Sequence, residues 1–152
     1  MSDNTQDNIE LPDFLTKSHG FLLGKLSQRL IRQAEEALSS LELQAKQVGV
    51  LTLLDEVGPK SQKEIGHRLE IDRTTMVSLV DGLEQNKLVA RKPDPSDRRA
   101  FLVTLTAKGT KTLHKAQEII AVTEQEFLSK LSEDERKQFF KLISTLYKGD
   151  NK

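Results

Sequence analysis

The spacing of apolar residues changes twice along this chain of 152 residues, and the change limits the folds open to it. Up to residue 86 apolar side chains recur every three to four positions, as on one face of an α-helix. From Leu88 to Leu105 they alternate with a period of two, as in β-strands. Helical spacing returns after Thr106. The chain is therefore predicted to be mainly α (α+β), with one hairpin in its second half.

The first part of the chain predicts two helices, over 14–41 and 45–57. The first is long and amphipathic. The second is apolar on most sides, so it should be buried. A polar break at 42–44 separates them, and the Gly-Pro pair at 58–59 ends the second helix.

The next segment predicts two short helices joined by a tight turn. Ser61 and Glu64 have the spacing of a capping box, which would open a helix over 62–69. Asp72 can cap the following helix after a turn at 70–71. Two short helices with this connection form a helix-turn-helix. Its core should include Ile65, Leu69, Ile71, Met76 and Val80.

A hairpin follows at once, with strands predicted over 88–92 and 100–105 and a turn over 93–99. Phe101, Val103 and Leu105 should share one face of the second strand. Pro93 and Pro95 restrict the turn. A helix-turn-helix followed by such a hairpin is a winged helix.

Two more helices are predicted at the C-terminal end. The first runs from Thr106 to about residue 131, and a second capping box at 132–135 opens the last one. Together with the helix over 14–41 they carry more apolar surface than one chain can cover. We expect a two-fold dimer, with a monomeric bundle as the alternative.

Composition narrows the function. The chain contains no cysteine, which excludes disulfides and thiol chemistry. The polar N-terminus resembles no signal peptide and no apolar run reaches 18 residues, so we expect a soluble, cytoplasmic protein. Residues 60–111 hold eleven Lys and Arg against seven Asp and Glu, although the whole chain is neutral. On charge alone a solvated surface is the favoured interpretation of this positive middle third, with nucleic acid as the alternative partner.

Residues 79–109 resemble the multiple-antibiotic-resistance regulator (MarR) family. The resemblance rests on Leu-Val-Asp-x-Leu-Glu at 79–84, Leu-Val-x-Arg at 88–91, Asp-x-Arg at 97–99, Leu-Thr at 105–106 and the glycine at 109. The order of predicted elements extends it over 14–147. Two positions depart from the family pattern. Lys87 replaces a common glycine, and we expect Asn86 to adopt the left-handed conformation instead. Gly82 replaces a common arginine in mid-helix.

The resemblance implies a dimeric transcriptional regulator, usually a repressor released by a small aromatic or phenolic ligand. Residues 14–41 and 107–147 would form the dimerisation lobe and 45–105 the DNA-binding lobe. Residues 1–13 would be a flexible acidic N-terminus and 148–152 a tail. The operator would be a pseudo-palindrome of double-stranded DNA.

The helix opened by Asp72 would enter the major groove. Its apolar stripe faces inward, which leaves an outward set of candidate contacts: Arg73, Thr74, Thr75 and Ser78. Arg73 suits guanine, with a surface ion pair to Glu70 as the alternative. Ser61 and Gln62 stand at a helix N-terminus, where amides favour a phosphate.

The wing supplies a second set of candidates. Arg98 and Arg99 suit a narrow minor groove or a phosphate, and Asp97 is predicted to orient the Arg99 side chain by a charge-assisted hydrogen bond. Arg98 has Asp94 as another possible partner. The alternative is a hairpin held only by local ion pairs.

Evidence for other sites is weak. His19, His67 and His114 share no metal-ligand spacing, and no catalytic motif or cofactor fingerprint is present. His19 is a candidate ligand contact, with a surface or interface histidine as the alternative. We therefore expect no enzyme activity and no cofactor. The alternative function is a winged-helix protein-interaction module without DNA binding.

Overall fold

The computed structural model describes residues 11–149. The predicted flexible segment falls mostly outside this range, as does most of the predicted tail. The mainly helical winged-helix fold is confirmed. Its elements, in chain order, are α1 (Asp13–Thr16), α2 (His19–Leu38), a 3-10 turn (Ser39–Leu41), α3 (Ala45–Val57), α4 (Gln62–Leu69), α5 (Arg73–Gln85), β1 (Val89–Pro93), β2 (Phe101–Leu105), α6 (Ala107–Phe127) and α7 (Glu133–Gly149).

The prediction of one continuous helix over 14–41 was wrong. Helix α1 ends at Thr16 with Lys17 as its C-cap, and a separate helix, α2, begins with Ser18 as its N-cap. The Ser18 hydroxyl accepts from the Phe21 amide at 3.4 Å, and this bond satisfies an amide that the start of a helix leaves unpaired. At the other end, Glu42 adopts a left-handed conformation (φ 53°) and turns the chain toward α3.

The core lies where the C-terminal half of α2 meets the winged helix and α6. Each of these elements contributes at least one fully buried side chain. The largest are Leu38, Leu51, Ile65, Met76, Leu83, Leu113, Val50, Val80, Val89 and Val103. Leu69 and Ile71 pack against this cluster from the turn, as predicted for the helix-turn-helix core. One continuous core therefore joins the predicted DNA-binding lobe to α2 and α6.

The sheet is a short antiparallel hairpin in which Val89 pairs with Leu105 and Pro93 with Phe101. Lys60 adds a single bridge to the other edge of β2, opposite Val103. Pro93 belongs to β1 rather than to the turn as predicted. The predicted apolar face of β2 is only partly buried, because Val103 is 1 % exposed while Phe101 is 57 % exposed. Phe101 lies at the far end of the hairpin, beyond the reach of the core.

The end of α5 differs from the prediction at Asn86. Lys87 itself adopts the left-handed conformation (φ 60°), whereas Asn86 stays at φ −82°. The Leu88 amide donates to the Leu83 carbonyl and the Lys87 amide to Glu84, both at 2.9 Å, as in a Schellman cap. The Thr106 hydroxyl donates to the Lys87 carbonyl at 2.7 Å and accepts from the Gly109 amide at 2.9 Å. These bonds fix the conformation at residue 87 despite its side chain.

Helix α6 begins so close to this cap that only glycine fits at position 109. A Cβ there would lie 2.1 Å from the Leu88 carbonyl oxygen. The Lys108 ammonium donates to the Asn86 carbonyl at 2.9 Å. The C-terminal end of α5 is therefore held directly by the first turn of α6.

Candidate nucleic-acid interface

Both helices of the helix-turn-helix begin with the predicted side-chain caps. Ser61 accepts from the Glu64 amide at 3.2 Å, and the Glu64 carboxylate accepts from the Ser61 amide at 3.0 Å. Asp72 accepts from the Thr75 amide at 2.9 Å. These hydrogen bonds, from Ser61 to Glu64 and from Thr75 to Asp72, hold the pKa of both carboxyl groups below their ordinary range. The Glu64 and Asp72 carboxylates are therefore charged at neutral pH.

The turn between the two helices is tight because of Glu70 and Gly66. Glu70 is left-handed (φ 53°), and the Ile71 amide reaches back to the Gly66 carbonyl at 2.9 Å. A Cβ on residue 66 would meet the Ile71 carbonyl oxygen at 2.9 Å. The turn thus brings the first turn of α5 against the middle of α4.

Helix α5 separates into two faces as predicted. Its inward side chains are Met76, Leu79, Val80 and Leu83, all buried. Arg73, Thr74 and Ser78 are exposed on the other side. This face can offer a guanidinium and two hydroxyl groups to a partner.

Thr75 is the exception among the predicted contacts of α5. It is half-buried, and its hydroxyl donates to the Asp72 carboxylate at 2.6 Å. The hydroxyl therefore completes the helix cap, and any contact with DNA would use its acceptor lone pairs or the methyl group of the side chain.

A groove of about 700 Å³ lies between α4 and α5. Its rim is basic, with Lys63, His67 and Arg73, and Ile71 and Met76 lie among its apolar lining residues. No ion pair involves Arg73 in the part of the chain that the structure describes, so the alternative pair with Glu70 is not formed. This groove adds positive charge beside the exposed face of α5.

The wing turn is held by short polar side chains rather than by ion pairs. Asp94 accepts from the Ser96 amide at 2.8 Å and from its hydroxyl at 2.7 Å. The Asp94 amide donates to the Ala100 carbonyl at 3.0 Å, which closes the loop. Within residues 11–149 neither wing arginine belongs to an ion pair. Arg98 and Arg99 are exposed at the returning edge of the turn.

The predicted hydrogen bond between Asp97 and the Arg99 side chain is not present. The Asp97 carboxylate accepts from the Arg99 backbone amide at 2.9 Å, and the Asp97 carbonyl accepts from Ala100 at 3.0 Å. A carboxylate two residues before an amide closes a local turn more readily than it reaches a long flexible side chain. Asp97 therefore shapes the backbone of the wing and leaves the guanidinium free to contact a partner.

Arg91 has a structural role that the sequence patterns did not predict. Its guanidinium pairs with Asp81 and Glu84 on α5, and its Nε donates to the Gln62 side chain on α4 at 2.8 Å. Its amide also donates to Glu84 at 3.1 Å, and the two contacts from Arg91 lower the pKa of that carboxyl group. All but Gln62 belong to the motifs that carried the family resemblance. This role could have been predicted from two acidic residues three positions apart on α5 and an arginine in the strand that follows.

The bond to Arg91 changes the interpretation of Gln62. Its side-chain oxygen is occupied, so its amide nitrogen is the group that can still reach a phosphate. Ser61 likewise uses its hydroxyl twice within the capping box, since it also donates to Glu64 at 2.8 Å. The first turn of α4 can then offer backbone amides more easily than side chains.

His19 is exposed at the first position of α2. A cleft of about 500 Å³ between α2, α3 and α5 is lined by Ile31 and Glu35 of that helix. Ile31 lies twelve residues further on, which is about 18 Å along a helix axis. The structure therefore does not bring His19 to this cleft within one chain.

Within residues 11–149 no group of three or more His, Asp or Glu side chains is arranged to hold a metal ion. None of the helices there is both long and apolar enough to cross a bilayer.

Comparison with known proteins places this surface in context. The model of the MarR family matches residues 43–101. The organic hydroperoxide resistance transcriptional regulator of Bacillus subtilis is 30 % identical, over 95 % of this chain and 94 % of that protein. The transcriptional repressor CouR, solved on a 23-mer DNA duplex, is 31 % identical with a TM-score of 0.82, over 91 % of this chain and 99 % of that one. PcaV of Streptomyces coelicolor, solved with its natural ligand, is 28 % identical with a TM-score of 0.73, over 92 % and 98 %.

Proposed function

The chain belongs to the MarR family of DNA-binding transcriptional regulators, and we propose that it is a homodimeric repressor that a small aromatic ligand releases from a pseudo-palindromic operator. The main evidence for DNA binding is that one lobe of the protein presents two exposed polar surfaces. One is the outward face of α5, with Arg73, Thr74 and Ser78. The other is the wing, whose Arg98 and Arg99 are exposed.

In this proposal α5 reads bases in a major groove and the wing follows the backbone into the adjacent minor groove. Arg73 suits a bidentate contact with guanine, and the two hydroxyl side chains suit a thymine methyl group or a phosphate. Thr75, Ser61 and Gln62 contribute mainly through the helix ends that they help to form. Arg91 fixes the orientation of the wing relative to α5. This matters because both surfaces must contact the same duplex.

The dimer is supported by apolar surface that a single chain leaves uncovered. Helix α7 has no buried residue, and the exposed fractions of Phe140, Leu146 and Tyr147 are 68, 67 and 75 %. Leu23 and Leu26 on α2 are also exposed. Between these helices and α6 lies a mostly apolar groove of about 390 Å³. A second copy that covers this surface would place two α5 helices on one side of the assembly, as two half-sites require.

Sedimentation velocity tests the dimer. The wild type should sediment as a dimer at micromolar concentration, and Phe140→Asp should shift it to monomer because a charge would then lie in the apolar contact. Lys137→Asp, an exposed position of the same helix, is the matched control and should remain dimeric. A wild type that is still monomeric at about 100 μM, which means an association free energy weaker than about 5.5 kcal/mol, would contradict this part of the proposal.

Repression and ligand release are supported by the relatives. CouR is a transcriptional repressor, and PcaV has been solved with its natural ligand. A screen of aromatic acids by thermal shift, followed by DNA binding with and without each stabilising compound, tests release. His19→Ala tests the predicted ligand contact, since it should weaken ligand response without changing operator affinity.

DNA binding itself is tested by selection from randomised duplexes with competitor DNA present. The proposal predicts an enriched sequence with two inverted half-sites. A protein that enriches no sequence at low salt would instead be a winged-helix interaction module, which the DNA-bound relative does not favour.

A further inference from the structure

One buried amide connects α5 to its neighbour α3. Gln47 on α3 is 6 % exposed, and its Nε2 donates to the Leu79 carbonyl in the middle of α5 at 3.3 Å. Its Oε1 accepts from the Gln44 amide at 3.0 Å. The other buried polar residue described, Thr123, bonds within its own helix. Gln47 therefore makes a directional contact with α5 where the surrounding core is apolar.

Gly82 provides the space that this contact needs. A Cβ at position 82 would lie 2.9 Å from the Gln47 Nε2 atom. Glycine in the middle of a helix is normally unfavourable compared with alanine. The close approach of Gln47 gives a physical reason for glycine at this position.

The same end of α3 is also bonded to α2. The Glu35 carboxylate accepts from the Ala45 amide at 2.9 Å. The first turn of α3 thus lies between α2 and α5, with a hydrogen bond to each. On its outer side, Gln47 and Gly82 line a cleft of about 520 Å³ together with Thr74 and Ser78. The contact therefore lies next to the exposed face of α5.

We propose that Gln47 is a positioning residue that sets where α5 lies along α3, and that Gly82 is required for this contact. The inference rests on the proposed function, because it assumes that α5 reads DNA. Hydrogen bonds to base edges require heavy-atom distances within a few tenths of an ångström, whereas phosphate attraction tolerates larger shifts. Loss of the contact should therefore reduce sequence discrimination more than general affinity for DNA.

The test measures affinity for the duplex selected by the wild type and for a scrambled duplex of equal length. The variants are Gln47→Ala, Gly82→Ala and the double variant. Gly49→Ala is the matched control, because the same substitution on α3 places its Cβ at 4.0 Å from Leu69, an ordinary contact. Each single variant should lower the ratio of the two affinities about two- to tenfold, the range of one hydrogen bond. The control should leave it unchanged.

Two further results separate positioning from simple destabilisation. Gly82→Ala should not lower the melting temperature, since alanine favours the helix, so its lost discrimination would not come from unfolding. The double variant should discriminate as well as Gln47→Ala alone, because both substitutions remove the same bond. Unchanged ratios in both single variants, or effects that multiply in the double variant, would overturn the inference. A wild type that selects no duplex would instead overturn the proposed function on which it rests.

Discussion

The Nε of Arg91 donates to the side-chain oxygen of Gln62 at 2.8 Å, and this bond joins the first strand of the wing to the first helix of the helix-turn-helix. The rest of the guanidinium pairs with Asp81 and Glu84 on α5. The side chain of Arg91 is 25 % exposed, so solvent screens these contacts less than it screens the pairs on α1 and α7. The wing therefore cannot tilt relative to α5 without breaking several bonds at once.

Replacing Arg91 by alanine should lower both stability and affinity for DNA. It removes the contacts with α4 and α5 and leaves two carboxylates facing each other. We expect the melting temperature to fall by about 2–4 °C, the shift that roughly 1 kcal/mol causes in a domain of this size. Thermal unfolding followed by circular dichroism measures it. Lys92→Ala, the exposed neighbour on the same strand, is the control, and equal melting temperatures for the two variants would contradict this account.

Lys87→Gly should stabilise the protein. Lys87 is left-handed, a conformation that costs a residue with a Cβ about 1–2 kcal/mol, and part of this is offset by the greater freedom of glycine in the unfolded chain. We expect the free energy of unfolding to rise by about 0.5–1 kcal/mol in urea denaturation. Asn86→Gly, one residue earlier at φ −82°, should lower it. The opposite order of these two variants would show that the strain lies at residue 86.

The local parts of this fold could be predicted from the sequence, and the long-range parts could not. The caps at Ser61 and Asp72 depend on residues three positions apart, so their spacing alone identifies them. The sequence predicted the left-handed conformation at Asn86 instead of Lys87. A hydrogen bond from Thr106, which is distant in sequence, helps to fix that conformation at Lys87. Likewise the contact of Gln47 with Leu79 depends on how two helices pack.

The candidate site divides in the same way. The exposed side of α5 followed from the period of its apolar residues, and the structure bears out its inward face. The role of Asp97 could not be predicted from the sequence. Arg99 offers the Asp97 carboxylate two possible donors, the guanidinium and the backbone amide, and the backbone amide forms the bond. Whether each exposed residue contacts DNA stays a prediction that only binding measurements decide.

Arg98→Ala and Arg99→Ala should weaken DNA binding and its dependence on salt. Each arginine that neutralises a phosphate adds about 0.9 to the slope of log affinity against log salt, so each substitution should reduce the slope by about 1. Fluorescence anisotropy at several salt concentrations measures the slope. Lys111→Ala on α6, an exposed basic residue outside the wing, is the control. If the two wing variants keep the affinity and slope of the wild type, the wing does not contact DNA.

The cap at Asp72 should make stability depend on pH. Hydrogen bonds from the Thr75 hydroxyl and amide lower the pKa of Asp72 below its ordinary value of 3.8. The carboxylate therefore stabilises the fold above that value, and the contribution is lost as the pH falls through the lower folded pKa. Asp72→Asn should melt below the wild type at pH 7 and approach it near pH 2. A difference that stays constant across this range would show that the charge of Asp72 contributes nothing.

The central claim is that two copies of α5 read two half-sites of one duplex together. A series of duplexes tests it most directly, with the selected half-sites moved apart one base pair at a time. The account predicts two chains per duplex and tightest binding at one spacing, with half-sites about one helical turn apart or a multiple of it. Displacement by half a turn should abolish this affinity and one further turn should partly restore it. Equal affinity at every spacing, or one chain per duplex, would contradict the claim.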